Sequence, residues 1–207
     1  MEKLCLNLAE GFHAVAQPLT ILRAGLGSCQ SGRMNLSELR ETVANSALEV
    51  ERLCSLLHCM QEVVIAESVE PEVSANPLLP LLAYVADGVN LLFEKDGMIL
   101  SSTIPDTCQP VLINRDRTLE ALTSVLLTAH ALSRAQDTVE LIASSTSANV
   151  VRVLVRNVKS YGGAMNAEAN LLMVLAEANI RSQDAGFSLS LQPFSVQIEL
   201  RKAPLTN

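Results

Sequence analysis

Gly11-Phe12-His13-Ala14-Val15-Ala16-Gln17-Pro18-Leu19-Thr20 is the stretch of this 207-residue chain that decides its fold. Around it, apolar side chains recur at alternating steps of three and four, which is the a/d pattern of a helix packed in a bundle. The pattern comprises Cys5, Leu8, Phe12, Val15, Leu19, Leu22, Leu26 and Cys29. His13 directly follows a seam position, so we expect its imidazole beside the seam, among the small or polar side chains of Ala9, Ala16, Gln17 and Thr20.

The helix that carries this stretch is expected to run from about Glu2 to Cys29. Pro18 cannot donate a backbone hydrogen bond, so it predicts a kink just after the histidine. The glycines that follow weaken the helix, and the pair Ser31-Gly32 predicts its end.

A second helix follows after a short loop. Asn35 is a good N-cap, and Glu38 stands at the reach-back position of a capping box. Beyond it, apolar residues recur every seven positions at Leu36, Val43, Val50, Leu57 and Val64, and the complementary seam contains Leu39, Ser46, Leu53 and Met60. Two such helices predict an antiparallel hairpin. One hairpin cannot bury its whole stripe, so we expect a homodimer with a four-helix bundle.

The remainder of the chain has a different pattern. Residues 69–80 contain three prolines and several acids, which predicts a linker between a hairpin domain at 1–68 and a second domain at 81–207. In the second domain we expect helices over 81–94, 116–133 and 166–181, and strands over 98–104, 110–113, 139–145, 150–157, 187–191 and 194–200. This order predicts an α+β fold, with the second domain a two-layer α/β sandwich.

Composition excludes several classes of partner and location. The formal net charge is -7 and the pI is about 5.0, which argues against binding to nucleic acid or to an anionic membrane surface. The N-terminus does not have the pattern of a signal peptide, and no apolar run has the length of a membrane span. The 5 cysteines lie at no metal-like spacing, which indicates free thiols in a reducing, cytoplasmic compartment.

The motif His13-x-x-x-x-Pro18-Leu19-Thr20 on the first helix of a hairpin resembles the H-box of sensor histidine kinases, in the variant with Gln before Pro. The resemblance implies that His13 is a phosphoacceptor and that the hairpin dimerises. The element order of the second half resembles the ATP-binding domain that follows the hairpin in that family. Together these likenesses imply a bacterial protein of two-component signalling.

The nucleotide-binding motifs of that family are replaced. An Asn-x-x-x-Asn pair holds magnesium and phosphate in the kinases, and Ser124 and Thr128 stand at those positions here. The strand end that carries Asp-x-Gly-x-Gly in the family reads Val155-Arg156-Asn157-Val158-Lys159, and we interpret Gly162-Gly163 as a turn. A second glycine-rich loop should precede the next helix to let backbone N–H groups approach phosphate, and residues 166–181 contain no glycine. We therefore expect no ATP and no bound cofactor.

The residue after the histidine also departs from the kinase pattern. Family kinases commonly place Glu or Asp there as the acid/base, and this chain has Ala14. General-base catalysis typically contributes about a hundredfold or more in rate, so transfer from ATP is disfavoured twice. Transfer from a response-regulator receiver is less affected, because the receiver supplies the aspartate and the Mg²⁺.

Three functions fit these residues. The first is a histidine phosphotransferase-like phosphorelay protein in which His13 exchanges a phosphoryl group with a receiver aspartate and Pro18 shapes the turn. Gln17 is either a hydrogen-bond partner of the imidazole or phosphoryl group, or an exposed polar residue. The receiver would dock on Thr20, Ile21, Ala24 and part of the second helix, and an upstream histidine kinase is a further candidate partner.

The second function is a pseudokinase-like module that binds a receiver or a kinase and transfers nothing. The third is a working kinase with divergent nucleotide loops. The enzyme class therefore stays open between a phosphotransferase, which we favour, and an ATP-dependent kinase. We interpret His58 and His130 as structural.

Overall fold

The computed structural model describes residues 2–30, 32, 34–105, 109–159 and 165–204, and side-chain environments from residue 11 onward. Helix α1 spans Glu2–Gln30 and helix α2 spans Leu36–Ser68, so both predicted helices are confirmed. The predicted capping box is also present, since the Asn35 side chain accepts from the backbone N–H of Glu38 at 3.0 Å and Glu38 Oε2 accepts from the Asn35 N–H at 2.8 Å. Helix α1 continues through Pro18 as one element rather than ending there.

The two seams of the hairpin are buried to different extents. On α1, Val15, Leu22 and Cys29 are half-buried against the rest of the chain. The alternate seam positions, Phe12, Leu19 and Leu26, are 62%, 51% and 57% exposed. On α2 the stripe of five residues spaced seven apart is also exposed, and it consists of Leu36, Val43, Val50, Leu57 and Val64. One chain therefore covers only half of the apolar pattern.

The second domain contains three helices and seven strands within the described residues. The helices are α3 (Leu78–Lys95), α4 (Arg115–Ala131) and α5 (Ala167–Arg181). The strands are β1 (Ser74–Asn76), β2 (Ile99–Thr103), β3 (Val111–Ile113), β4 (Thr138–Ser145), β5 (Val150–Asn157), β6 (Gly186–Leu191) and β7 (Phe194–Arg201). The predicted helices and the strands predicted from 98 onward are confirmed to within a few residues.

The segment at 69–80, which the sequence predicts to be a linker, contains regular secondary structure. Strand β1 lies inside it and pairs antiparallel with β3, with Ser74 opposite Ile113. Helix α3 also begins three residues before the predicted boundary, at Leu78, which is completely buried. The prolines in this segment suggested a linker, but Pro71 precedes the strand and Pro77 is the N-cap residue of α3.

The main sheet has the strand order β2-β4-β5-β7-β6. Strands β4, β5, β7 and β6 pair antiparallel, while β2 pairs parallel to β4. Successive side chains of a strand point to opposite faces of the sheet, so every second residue lies on the same face. The three helices pack on one face and bury it. On β5 these inward residues are Val151, Val153 and Val155, and on β7 they are Phe194, Val196, Ile198 and Leu200. The α+β class and the two-layer second domain are confirmed.

No helix of the described segments has both the length and the apolar character needed to cross a bilayer.

Gly11 is a close-packing position of the hairpin. A Cβ at Gly11 would lie 2.8 Å from both Cγ and Sδ of Met60 on α2. We expect Gly11→Ala to lower the free energy of unfolding, because overpacking typically costs about 1–3 kcal/mol and exceeds the roughly 1 kcal/mol gained in helix propensity. Urea denaturation of the purified protein measures the change.

Gly27→Ala is the matched control, because Gly27 is an exposed residue of the same helix and a Cβ there meets nothing within 4 Å. This variant should raise the free energy of unfolding by up to about 1 kcal/mol. Equal effects of the two variants would contradict the close packing at Gly11.

Candidate functional site

His13 is exposed on α1, and the candidate residues that follow it share its face of the helix. Gln17, Thr20, Ile21 and Ala24 are all exposed, at helical steps of three and four from the histidine. The Thr20 hydroxyl donates to the Ala16 carbonyl at 2.8 Å, so in this state it is engaged with its own helix. The structure thus brings the predicted docking residues and the imidazole onto one open surface. The side chain of Ala9 lies outside the described residues.

Pro18 differs from the other candidates because it is buried. It cannot contact a docked receiver from that position, so its effect on the site is through the backbone of α1. Proline has no N–H, which leaves the carbonyl four residues earlier, that of Ala14, without its helical donor.

The flank of His13 is covered by the second domain, a feature that the sequence analysis missed. Ala14 is only 3% exposed and belongs to an apolar cluster that joins both domains. We call this the interdomain cluster; it consists of Ala14 on α1, of Leu56, Cys59, Met60 and Val63 on α2, and of Leu171 and Leu175 on α5. The available signal was the unbroken run Leu171-Leu172-Met173-Val174-Leu175, because a helix that is apolar all round is buried on more than one side.

Three polar contacts accompany the interdomain cluster. Arg52 Nε donates to Glu168 Oε1 at 2.7 Å, which links α2 to the first turn of α5. This hydrogen bond, in which the Glu168 carboxylate is the acceptor, raises the pKa of the Arg52 guanidinium above its ordinary value. The Cys59 thiol donates to the Leu171 carbonyl at 3.7 Å, and burial raises its pKa to about 12, so this thiol stays protonated.

Arg117 makes the third link, at the C-terminal end of α2. Its guanidinium donates to the Val69 carbonyl at 2.8 Å and to the Ser182 hydroxyl at 2.8 Å. A cation is favourable at a helix C-terminus, where carbonyl groups lack helical donors. Arg117 therefore ties α4 to the end of α2 and to the end of α5.

Two clefts border the same contact. One has a volume of about 280 Å³ and an apolar lining that includes Leu56, Leu127 and Leu172. The other, of about 440 Å³, has a more polar lining with His58, Asp116 and Glu120. The contact between the hairpin and the second domain is therefore not closely packed along its whole length.

Glu120 is the most perturbed carboxyl group at this junction. Burial raises its pKa above the ordinary value of 4.5, and the charge of Glu62 on α2 acts in the same direction. Asn179 Nδ2 donates to Glu120 Oε2 at 3.0 Å and, with His58 and Arg117, opposes the shift. An ionised Glu120 thus disfavours the contact between α4 and α2.

The positions that correspond to nucleotide ligands in kinases are enclosed. Thr128 is 0% exposed, and Ser124 is 4% exposed at the lining of the cleft of about 440 Å³. Asn157, at the end of β5, is also buried, and its Oδ1 accepts from the Ser133 hydroxyl at 3.2 Å. The predicted turn at Gly162-Gly163 lies outside the described residues.

The other two histidines occupy different surroundings. His58 is exposed on α2, with its Nδ1 4.0 Å from Glu62 Oε1. His130 is mostly buried at the end of α4, where its Nε2 lies 3.0 Å from Asp96 Oδ2 and its ring meets Phe93 edge-on at 5.0 Å. His130 thus joins the ends of α4 and α3, as expected of a structural residue.

Comparison with known proteins gives no match to a protein-family model and none to a curated protein sequence. Solved structures do match. The histidine kinase AdeS of Acinetobacter baumannii superposes with a TM-score of 0.71 at 14% identity, over 94% of this chain and 98% of that one. The fold is that of a histidine kinase core.

Two further structures support this assignment of a histidine kinase-like core. Histidine kinase ThkA, in a crystal structure with the response regulator protein TrrA, matches with a TM-score of 0.74 at 15% identity, over 97% of this chain and 62% of that one. Full-length ShkA in complex with AMPPNP matches with a TM-score of 0.67 at 14% identity, over 98% of this chain and 46% of that one. The likeness covers both the hairpin and the second domain, and at these identities it establishes the fold.

The environment of Glu120 yields a test of the junction. We expect Glu120→Gln to raise the urea midpoint at neutral pH, because the amide keeps the contact to Asn179 and removes a charge that burial and Glu62 disfavour. The sign follows from linkage: a carboxyl whose folded pKa is raised loses stability as pH rises through that pKa. The gain should therefore vanish below the ordinary pKa of 4.5 and grow above it.

Glu51→Gln serves as the matched control, because Glu51 is exposed on α2. Its urea midpoint should stay near that of the parent both at neutral pH and below pH 4.5. A Glu120→Gln variant that is no more stable than the parent at pH 7 would contradict this account of the junction.

Proposed function

We propose that this chain is a two-component phosphorelay protein that exchanges a phosphoryl group between His13 and the aspartate of a response-regulator receiver, without using ATP. The observation that carries the proposal is the open helical face formed by His13, Gln17, Thr20, Ile21 and Ala24. An exposed imidazole with small or short neighbours leaves room for a second protein to bring its own reacting group into line. A relative in fold, ThkA, was crystallised with a response regulator protein.

The chemistry needs little from this chain. An imidazole nitrogen of His13 attacks the phosphorus of the receiver's aspartyl phosphate, the bond from phosphorus to the carboxylate oxygen breaks, and the receiver recovers its carboxylate. The reverse step phosphorylates the receiver. The receiver supplies the Mg²⁺ that balances charge on the moving group. Gln17, one turn beyond His13, has an amide that can hydrogen-bond the phosphorylated ring.

The absence of ATP chemistry is proposed from the environment of three positions. Ser124 and Thr128 have buried hydroxyls in place of the amide ligands that the kinase resemblance implies. Ala14, which takes the place of the kinase acid/base, is enclosed in the interdomain cluster. A carboxylate there would be buried among apolar side chains, at a high desolvation cost.

Homodimerisation through the hairpin is part of the proposal. Eight exposed apolar residues on α1 and α2 recur at intervals of seven, and they are Phe12, Leu19, Leu26, Leu36, Val43, Val50, Leu57 and Val64. Large contiguous apolar patches on a protein surface mark association sites. A second copy of the same hairpin offers the matching repeat, and the resulting bundle would leave His13 beside its seam. We place this dimer in the bacterial cytoplasm, where an upstream histidine kinase would be a further partner.

The central test uses a receiver domain phosphorylated with a radiolabelled phosphoryl group. Mixed with the full-length protein and Mg²⁺, it should transfer label to the parent and not to His13→Gln. His58→Gln is the matched control, because His58 is an exposed histidine on α2 next to the same apolar seam, and it should accept label like the parent. Autoradiography of acid-labile label measures the outcome.

The alternative functions give distinct results in this test. A protein that binds the receiver in a pull-down but never acquires label would be an interaction module. Label appearing at His13 with ATP and Mg²⁺ alone, with no other protein, would identify a working kinase. Either result would replace the phosphorelay proposal.

Dimerisation is tested separately by changing the exposed stripe. Leu19→Glu and Val50→Glu should each convert the dimer to a monomer, because an unpaired charge in a packed seam costs several kcal/mol. Leu48→Glu is the matched control: Leu48 is 63% exposed but lies off the repeat, so this variant should remain dimeric. Light scattering at micromolar concentration gives the mass, and a monomeric parent would overturn the proposed bundle.

A further inference from the structure

The turn of α1 that carries His13 is intrinsically weak. Gly11 precedes the histidine by two residues and Pro18 follows it by five. In helix interiors glycine costs roughly 1 kcal/mol and proline about 3 kcal/mol relative to alanine. Proline at 18 also leaves the carbonyl of Ala14 without a helical donor. Helix propensity alone therefore does not stabilise the helical conformation of this turn, and tertiary contacts must contribute to it.

Those contacts come from two helices. Met60 on α2 lies directly against Gly11, where a Cβ would be 2.8 Å from its Cγ and Sδ. Leu171 and Leu175 of α5 share the interdomain cluster with Ala14 and Met60, and Val15 and Val174 pack at its edge. The second domain is therefore part of the support of the turn that carries the imidazole.

A polar link also joins the first turn of α5 to α2. Glu168 lies three residues before Leu171 and pairs with Arg52 on α2 at 2.7 Å. The pair is partly shielded, with side-chain exposures of 36% for Glu168 and 30% for Arg52. The cleft of about 280 Å³ opens beside it, so apolar packing alone does not fix this end of α5.

We propose that Arg52 and Glu168 are positioning residues for phosphoryl transfer at His13, because their ion pair holds α5 against Ala14 and so stiffens the helical turn that presents the imidazole. This proposal rests on the proposed function. It gives the second domain a role that needs no nucleotide, namely to stabilise the phosphoacceptor turn from the flank of the docking face. Neither residue would touch the receiver or the phosphoryl group.

The experiment is a double-mutant cycle in the full-length protein with Arg52→Gln, Glu168→Gln and the two combined. Hydrogen–deuterium exchange of the peptide that covers residues 11–18 reports on the turn without any transfer reaction. Each single variant should exchange faster by about two- to fivefold, the range that a partly exposed ion pair can supply. The combined variant should exchange no faster than the singles, because each single change already removes the attraction between the two opposite charges.

Transfer kinetics supply the second measurement. With the labelled receiver at increasing concentration, the maximal rate of transfer to His13 should fall by a similar factor in each variant. The receiver concentration at half-maximal rate should stay unchanged, because the docking residues Thr20, Ile21 and Ala24 are untouched. A purely structural role would leave the maximal rate as it is in the parent.

The matched control is the pair Arg156 and Glu140 on the outer face of the sheet, which also has an Nε–Oε distance of 2.7 Å. Arg156→Gln and Glu140→Gln should change neither the exchange of residues 11–18 nor the transfer rate. Far-UV circular dichroism checks that every variant is folded. Should Arg52→Gln misfold, Glu168→Gln still tests the pair and leaves the contact between Arg52 and Glu49 in place.

Several outcomes would overturn the proposal. If Glu168→Gln leaves the exchange rate of residues 11–18 unchanged, the ion pair does not stabilise the turn. The same conclusion would follow if the effects of the two single variants on that rate were additive in the combined variant. Faster exchange with an unchanged maximal rate would show that the turn is braced but that transfer does not depend on it. If the parent never accepts a phosphoryl group, the proposed function fails and the positioning role fails with it, while the exchange data still decide whether the second domain supports the turn.

Discussion

The contact between α5 and the hairpin at Ala14 is the constraint on which the arrangement of the two domains depends. It joins α1, α2 and α5 in one apolar cluster and places the second domain beside the exposed histidine. Alanine suits this position because a larger or charged side chain would separate the helices. The small side chain of Ala14 therefore allows α5 to approach the turn that carries His13.

The hairpin divides its apolar residues between two tasks. Val15, Leu22 and Cys29 face the rest of their own chain, whereas Phe12, Leu19 and Leu26 remain exposed at the alternate seam positions. Because the first set already supplies the intrachain contact, the second set is available for another molecule. His13 lies outside both sets on the helix surface, and it is exposed.

The core of the second domain is built from residues that are far from any glycine-rich motif. Its core is formed by alternating residues of β4, β5 and β7 beneath three helices, and none of those residues belongs to a nucleotide motif. Burial of Thr128 and Ser124 and the internal hydrogen bond of Asn157 add to the packing of the domain. The packing of this core therefore does not require a glycine-rich motif.

The sequence by itself determined the elements whose signals are local. The seven-residue repeat and the Asn35–Glu38 capping box defined both long helices, and strict alternation defined β4, β5 and β7, because each has one buried face. Strand β1 escaped prediction because its partner, β3, lies far along the chain and three prolines hid its short pattern. Helical spacing predicted that His13 shares an exposed face with its neighbours on α1, but it could not predict that α5 buries Ala14. Only the tertiary structure decided that, because the side of α1 that meets α5 depends on how two separately patterned domains pack together.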